Sequence, residues 1–328
     1  FMPKGVDRVL FVLAPAFTAI PALIGFVIIP WAGELDLGDG NTVAIMGANI
    51  NIGVVYLIAT GSLGVYGVAV GGWASNNKYA FLGGLRASAQ IISYEIPMGL
   101  ALLCVILASG TLLPQTIVAQ QLEGQWNLIQ QPIAAILFYV CLLAEANRAP
   151  FDLAEAEQEL IGGWHTEYSS MRWALFFMGE YIHLIVGAAF FTTLFLGGWS
   201  LNPVTGWDLP ATGGFLMIAM QFGIVITKVF LLVFLAMMVR WTLPRFRFDQ
   251  LMRLAWEGMI PTSLLLVLIV SVYMYFGWSA YLWTGSIIAI VLMYIARPLL
   301  PTSSTNKRIA LIGSRFSAPS QDVMSDSS

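Results

Sequence analysis

Eight apolar runs, each close to the length of a membrane crossing, dominate this 328-residue sequence. They cover residues 9–31, 53–74, 91–113, 130–146, 173–199, 213–239, 260–278 and 281–299. A helix rises ~1.5 Å per residue, so about 20 residues cross a hydrocarbon layer of ~30 Å. In hydrocarbon every backbone N–H and C=O needs an internal partner, and continuous apolar runs of this kind meet that demand only as helices. Charged residues make up 10% of the chain and apolar residues 58%. A soluble domain carries charge on about a quarter of its residues. The expected fold is all-α, a polytopic membrane helix bundle of about eight spans. It forms one transmembrane domain over 1–300, with a polar, Ser-, Thr- and Pro-rich tail over 301–328 expected to be disordered. The last two runs are separated only by Ser279 and Ala280, which reads as a tight helical hairpin.

Fourteen of the fifteen Lys and Arg residues fall in the termini and in every second connection. The alternate connections, 32–52, 114–129 and 200–212, hold no base and carry Glu34, Asp36, Asp39, Glu123 and Asp208. The positive-inside rule therefore places both ends of the sequence, and the connection after Glu145, on the cytoplasmic side of a bacterial inner membrane or an equivalent energy-coupling membrane. The sequence opens at Phe1, and the expectation is that something precedes it. No P-loop, GxGxxG or CxxC occurs, so nothing recognisable here holds a nucleotide, a flavin or an iron–sulfur cluster. Cys104 and Cys141 lie within apolar runs and read as small core residues. The bases form no patch interleaved with aromatics of the kind that binds nucleic acid.

The connection 145–172 carries the densest chemistry. Asp152, Glu155, Glu157, Glu159 and Glu167 crowd between Arg148 and Arg172, with Glu145 at the edge of the preceding span. Pro150 suits a first helical turn, and Asp152, Glu155 and Glu159 then share a face. A solvated loop helix is the plain reading. A crowd of carboxylates also retains protons more readily than a lone one, as a proton relay requires.

Within the spans lie Glu95, Glu180, His183 and Lys228. Each costs ~2.5–3.5 kcal/mol at a helix centre, so a hydrated path competes with structural pairing or snorkelling as the explanation. Glu180 and His183 stand at i, i+3 and face one cavity. Glu95 sits one turn into its expected span, with Pro97 freeing a carbonyl beside it. Lys228 is the first candidate partner for Glu180, and neutralising Glu180 is expected to leave stability unchanged or slightly raised. Glycines 61, 64, 67, 71 and 72 read as close helix packing, with no ligand needed. The stretch 240–253 is basic and aromatic: Arg240, Arg245, Arg247 and Arg253 with Asp249. It reads as a lipid-headgroup anchor or as a charge-complementary face for a partner protein.

The string from Ala144 through Glu145, Asn147, Arg148, Pro150, Phe151 and Asp152 to Glu159-Leu160, followed by Thr166-Glu167-Tyr168-Ser169, resembles the quinone-site membrane subunit of respiratory complex I, found in bacteria and mitochondria alike. Gly72-Trp73-Ala74-Ser75-Asn76 running to Leu85-Arg86-Ala87, Ser93-Tyr94-Glu95, and Arg240-Trp241-Thr242-Leu243-Pro244-Arg245 through Leu251 resemble the same family, in its order, over residues 7–261. The resemblance implies a subunit of a proton-pumping NADH:quinone oxidoreductase. Quinone is its substrate, and FMN and iron–sulfur clusters lie in partner subunits, with none held by this chain. It further implies that Arg148, Asp152, Glu155, Glu157, Glu159, Glu167, Tyr168 and Arg172 border the quinone cavity. Glu95, Glu145, Glu180 and Lys228 would form a proton path, and Arg240, Arg245, Arg247, Asp249 and Arg253 would dock the hydrophilic arm. Other membrane-arm subunits and lipid complete the expected partners. Members of that family carry one further span before Asp7, which this sequence lacks. His183 has no role in the resemblance. A homologous subunit of a membrane-bound hydrogenase or related dehydrogenase is the nearest alternative. A stand-alone ion-coupled transporter is the alternative of another class, weakened by the lack of an internal repeat.

Overall fold

A computed structural model describes residues 5–36, 42–148, 150–152, 162–204 and 209–296. The chain divides into a unit Phe1–Met293 and a unit Tyr294–Ser328. The polar tail beyond 300 lies outside the described residues.

Among those residues six helices are long and apolar enough to cross a membrane. These are α1 (Arg8–Gly25), α2 (Gly53–Ala74), α3 (Lys78–Ser109), α7 (Ser170–Phe195), α8 (Phe215–Thr242) and α9 (Phe248–Tyr275). Between α3 and α7 come α4 (Pro114–Glu123), the single turn α5 (Asn127–Gln130) and α6 (Pro132–Glu145), and α10 (Leu282–Ala296) is the last helix. The expected helical bundle is present, but two of its eight spans are short. The 14 residues of α6 and the 15 of α10 reach only ~21–23 Å.

Two starts fall earlier than hydropathy placed them. The third helix begins at Lys78, not near 91, because Asn77 accepts from the Tyr79 amide at 3.0 Å and caps a polar but helical opening. Its 32 residues put Glu95 at mid-helix, not one turn in. The seventh expected span, 260–278, is the second half of α9, whose charged first turns hid it. A π-helical stretch, Leu254–Met259, interrupts that helix. Consequently the basic segment is mostly helical: Arg240 lies in the last turn of α8, Arg253 lies on α9, and residues 243–247 form the loop.

The base-free connections gather at one end of the bundle. Strands β1 (Glu34–Asp36), β2 (Thr42–Ala44) and β3 (Thr212–Gly213) form a small sheet in the order β2-β1-β3, antiparallel then parallel. Gln115 donates to Glu34 at 3.0 Å, and Trp126 Nε1 donates to Ser200 Oγ at 2.9 Å. At the opposite end Asn77 donates to Glu167 at 2.7 Å, and the Phe246 amide donates to the Pro150 carbonyl at 3.2 Å. The sequence segregation of charge is thus a spatial one.

Small residues set the packing around the site. A Cβ on Gly67 would stand 2.5 Å from Thr18 Oγ1, and one on Gly72 would stand 2.8 Å from the Ala80 carbonyl. These glycines let α2 press against α1 and α3, as expected. Cys104 and Cys141 are buried free thiols.

Candidate functional site

Because α6 is short, its last residue, Glu145, ends inside the bundle. The chain then runs through the interior without a helix: Ala146, Asn147, Pro150 and Phe151 are all buried. Irregular backbone at this depth requires protein partners. Gln90 of α3 supplies them. Its Nε2 donates to the Ala144 carbonyl at 2.9 Å and the Phe151 carbonyl at 2.9 Å, and lies 3.3 Å from Asn147 Oδ1. Asn147 itself turns the chain at φ 47°, the left-handed position in which asparagine often ends a helix. Phe151 is then wedged edge-on against Tyr94 and beside Phe246.

This turn delivers two charged groups. Arg148 reaches Glu180 of α7 at 3.4 Å, the two side chains being 12% and 7% exposed. The guanidinium also lies 3.9 Å from the Tyr181 ring centre and 5.1 Å from that of Phe177, so aromatic faces share its charge. One turn of α7 further on, His183 Nε2 lies 3.3 Å from Glu145 Oε1. Glu145 sits at the negative end of α6, where a carboxylate is disfavoured unless a positive or donating group meets it.

Glu180, His183 and Glu145 open onto one hollow, of about 40 Å³, with Thr18, Gly61 and Gly64 on its other walls. A Cβ on Gly64 would meet nothing within 4 Å, and one on Gly61 would touch Glu145 and His183 at 3.4 Å. These two glycines therefore line space instead of closing a helix contact, which corrects the packing-only reading of the stripe. The hollow has room for about three waters, and for no quinone ring. Next along α2 from Gly61, Ser62 is hydrogen-bonded to Glu95 of α3. Two carboxylates and an imidazole around a hollow of water size, with a guanidinium paired to one carboxylate, are suited to holding and passing protons. Among the described residues no three His, Cys, Asp or Glu side chains gather as metal ligands.

The other expected residues divide. Lys228 stands apart from Glu180. Its ammonium donates to the carbonyls of Leu196 at 2.6 Å, Gly198 at 2.9 Å and Ser200, and lies 4.4 Å from the Trp126 ring centre. Leu196 is sixteen residues beyond Glu180 on the same chain course, ~24 Å along the helix. Lys228 thus caps the far end of α7, and it is Arg148 that pairs with Glu180. Tyr168 is buried, stacked on Phe11 at 4.1 Å and edge-on to Phe176 at 4.9 Å. Burial pushes its phenol above the ordinary tyrosine range, with Ser75 and Arg172 pulling the other way. Arg172 lies over Phe11 at 5.5 Å. Asp152 meets Arg245 at 3.1 Å, so one docking arginine is engaged within the chain. Arg253 pairs with Glu257 at 3.8 Å, while Arg240, Arg247 and Asp249 are exposed. Glu155, Glu157 and Glu159 lie outside the described residues. Sequence reasoning missed Gln90, Asn147 and the meeting of His183 with Glu145. Of these, only the i, i+3 spacing of Glu180 and His183 gave a signal.

Residues 1–271 match the family model described as NADH dehydrogenase. A protein of Cytophaga hutchinsonii, named as an NADH-quinone oxidoreductase subunit of the H type, is 44% identical over 82% of this chain and 77% of its own length. One named in the same way from Geobacter sulfurreducens is 44% identical over 83% of this chain and 77% of its own. The H-type NADH-quinone oxidoreductase subunit of Protochlamydia amoebophila is 46% identical over 83% and 79%. By this match, which spans all the elements of the site, the chain belongs to the NADH dehydrogenase family.

Proposed function

We propose that this chain, a membrane-embedded subunit of an oxidoreductase complex, borders the quinone cavity of an NADH-quinone oxidoreductase and couples quinone reduction to proton translocation. Relatives named as NADH-quinone oxidoreductase subunits support the first half of the reading. The second half is carried by one observation: residues 144–152 run directly from the buried pairs Glu145–His183 and Arg148–Glu180 to Asp152, where the acidic connection begins. Reducing a quinone to a quinol adds two electrons and two protons at the ring oxygens. Acids bordering the ring supply those protons and then carry negative charge themselves. That charge attracts Arg148, loosens its hold on Glu180 and lets the Glu180 carboxylate take a proton from the hollow. The hollow is too small for the ring, so the quinone lies on the acidic side, in a cavity shared with other subunits that hold the FMN and iron–sulfur clusters. By the charge rule that side is cytoplasmic.

Glu157→Gln and Glu159→Gln remove charge at nearly constant volume. In the assembled complex both variants are expected to lower quinone-dependent turnover while electron input to an artificial acceptor continues. Wild-type quinone kinetics in both would leave a solvated loop as the better account.

A further inference from the structure

A second hollow, of about 20 Å³, adjoins the first and is walled by Leu57, Ile58, Met98, Phe138, Val186 and Phe190. The two share three residues, Gly61, Glu145 and His183. The His183–Glu145 pair is therefore the partition between a chamber that also holds Glu180, Thr18 and Asn147 and one otherwise walled by apolar residues, with room for about one water. The partition is thin because Gly61 contributes no side chain: a Cβ there would already touch both groups at 3.4 Å. Met98, a wall of the second hollow, follows Glu95 by one turn of α3, and Ser62, bonded to Glu95, adjoins Gly61, which lines both hollows.

We propose that His183, with Glu145 beside it, is a proton-passing gate between these chambers, leading from Glu180 in the first hollow towards Glu95, one turn from Met98 of the second. This rests on the proton-coupling reading above. An imidazole takes a proton at one ring nitrogen and releases one from the other, so the net charge of the ring is restored after each passage. Nε2 faces Glu145, and among the described residues Nδ1 has no protein partner, which leaves it open to a proton from water. The groups that set its protonation are few. Glu145 faces it from α6, Glu180 lies one turn back on α7 with Arg148 opposite, and Glu95 lies across Ser62. From α1 only uncharged residues, Thr18, Pro21 and Ala22, line the hollow, and Lys228 of α8 donates to carbonyls at the far end of α7. A purely structural pair would pack against side chains on both faces, whereas this pair has a hollow on each.

The test uses the intact complex in sealed vesicles, with protons moved per electron measured against pH. His183→Asn keeps a polar group near Glu145 but cannot titrate. At matched electron flux its proton flux is expected to fall at least ~10-fold, and the pH dependence of pumping between about pH 5.5 and 7.5 is expected to flatten. His183→Gln, longer and equally non-titrating, is expected to behave alike. A wild-type ratio and pH profile in either variant would overturn the gate alone. Failure of both variants to assemble would also overturn it, by making the pair structural. Quinone reduction without proton movement in the wild-type complex would overturn the coupling reading, and the gate with it.

Discussion

Arg148 and Glu180 are the most tightly enclosed ion pair at the site, and cutting one partner from it has a calculable sign. Breaking a buried pair by removing one member typically costs ~3–5 kcal/mol, because the other charge is left uncompensated. For Glu180→Gln the guanidinium keeps Tyr181 at 3.9 Å and Phe177 at 5.1 Å. Two cation–π contacts offset about 1–2 kcal/mol. The expected net loss is ~2–3 kcal/mol. This reverses the sequence-based expectation of unchanged or raised stability, which did not include Arg148 as the partner. Arg148→Gln leaves the Glu180 carboxylate, 7% exposed, without its guanidinium. Its loss lies nearer ~3–5 kcal/mol unless the carboxylate takes up a proton. The double variant removes both charges and is expected to be more stable than Arg148→Gln alone, with a coupling of ~2–3 kcal/mol. The assay is thermal release of this chain from the purified complex at fixed pH, comparing wild type, both singles and the double. Additive losses, or a Glu180→Gln complex as stable as wild type, would refute the reasoning.

Three further outcomes follow from the geometry. Gly72→Ala is expected to lower the yield of assembled complex, at a cost of ~1–3 kcal/mol, since its Cβ would stand 2.8 Å from the Ala80 carbonyl; Gly64→Ala, with nothing within 4 Å, is expected to assemble normally by native gel. Gln90→Leu leaves the Ala144 and Phe151 carbonyls without that donor, at ~1–3 kcal/mol each if they stay dry, and is expected to raise proteolytic cutting within 144–152 relative to wild type. Arg245→Ala together with Arg247→Ala is expected to weaken retention of the partner subunits, more so as salt rises; the Asp152 pair is partly exposed and adds no more than ~1 kcal/mol, so full retention across a salt series would leave lipid anchoring as the role of these arginines.

The helical bundle was legible because hydrophobic length is a local property of sequence. Its irregularities were not. Lys78 to Gln90 read as a connection because the stretch is polar, although Asn77 caps it and it continues straight into an apolar helix. Arg253 and Glu257 disguised the start of α9 in the same way. The sheet of Glu34–Asp36, Thr42–Ala44 and Thr212–Gly213 is built from strands of two or three residues, too short for any alternation to show. At the site, the ionisable residues were visible one by one because charge is rare in such helices. Their partners were not, since Arg148 and Glu180 are 32 residues apart, and Glu145 and His183 are 38 apart, joined only by packing. Lys228 was grouped with Glu180 because both are intramembrane charges, and sequence carries no depth signal to separate them.

Depth is what turns the shortness of α6 into chemistry. A full-length span would have carried Glu145 and Arg148 out to the headgroups, where both would be solvated and screened. Ending ~21 Å from its start, α6 leaves them among helices, and the buried turn 146–152 is then needed to bring the chain out. That turn has one end held by Gln90 and the other by Phe151 and the Asp152–Arg245 pair. Arg148, bonded to Glu180, lies at the middle of that short tether. Lys228 shows the contrasting case: its ammonium donates to three carbonyls of a helix end and its connection, so there its charge stabilises backbone. The arrangement of these charges is thus defined less by which residues are charged than by where a helix stops short.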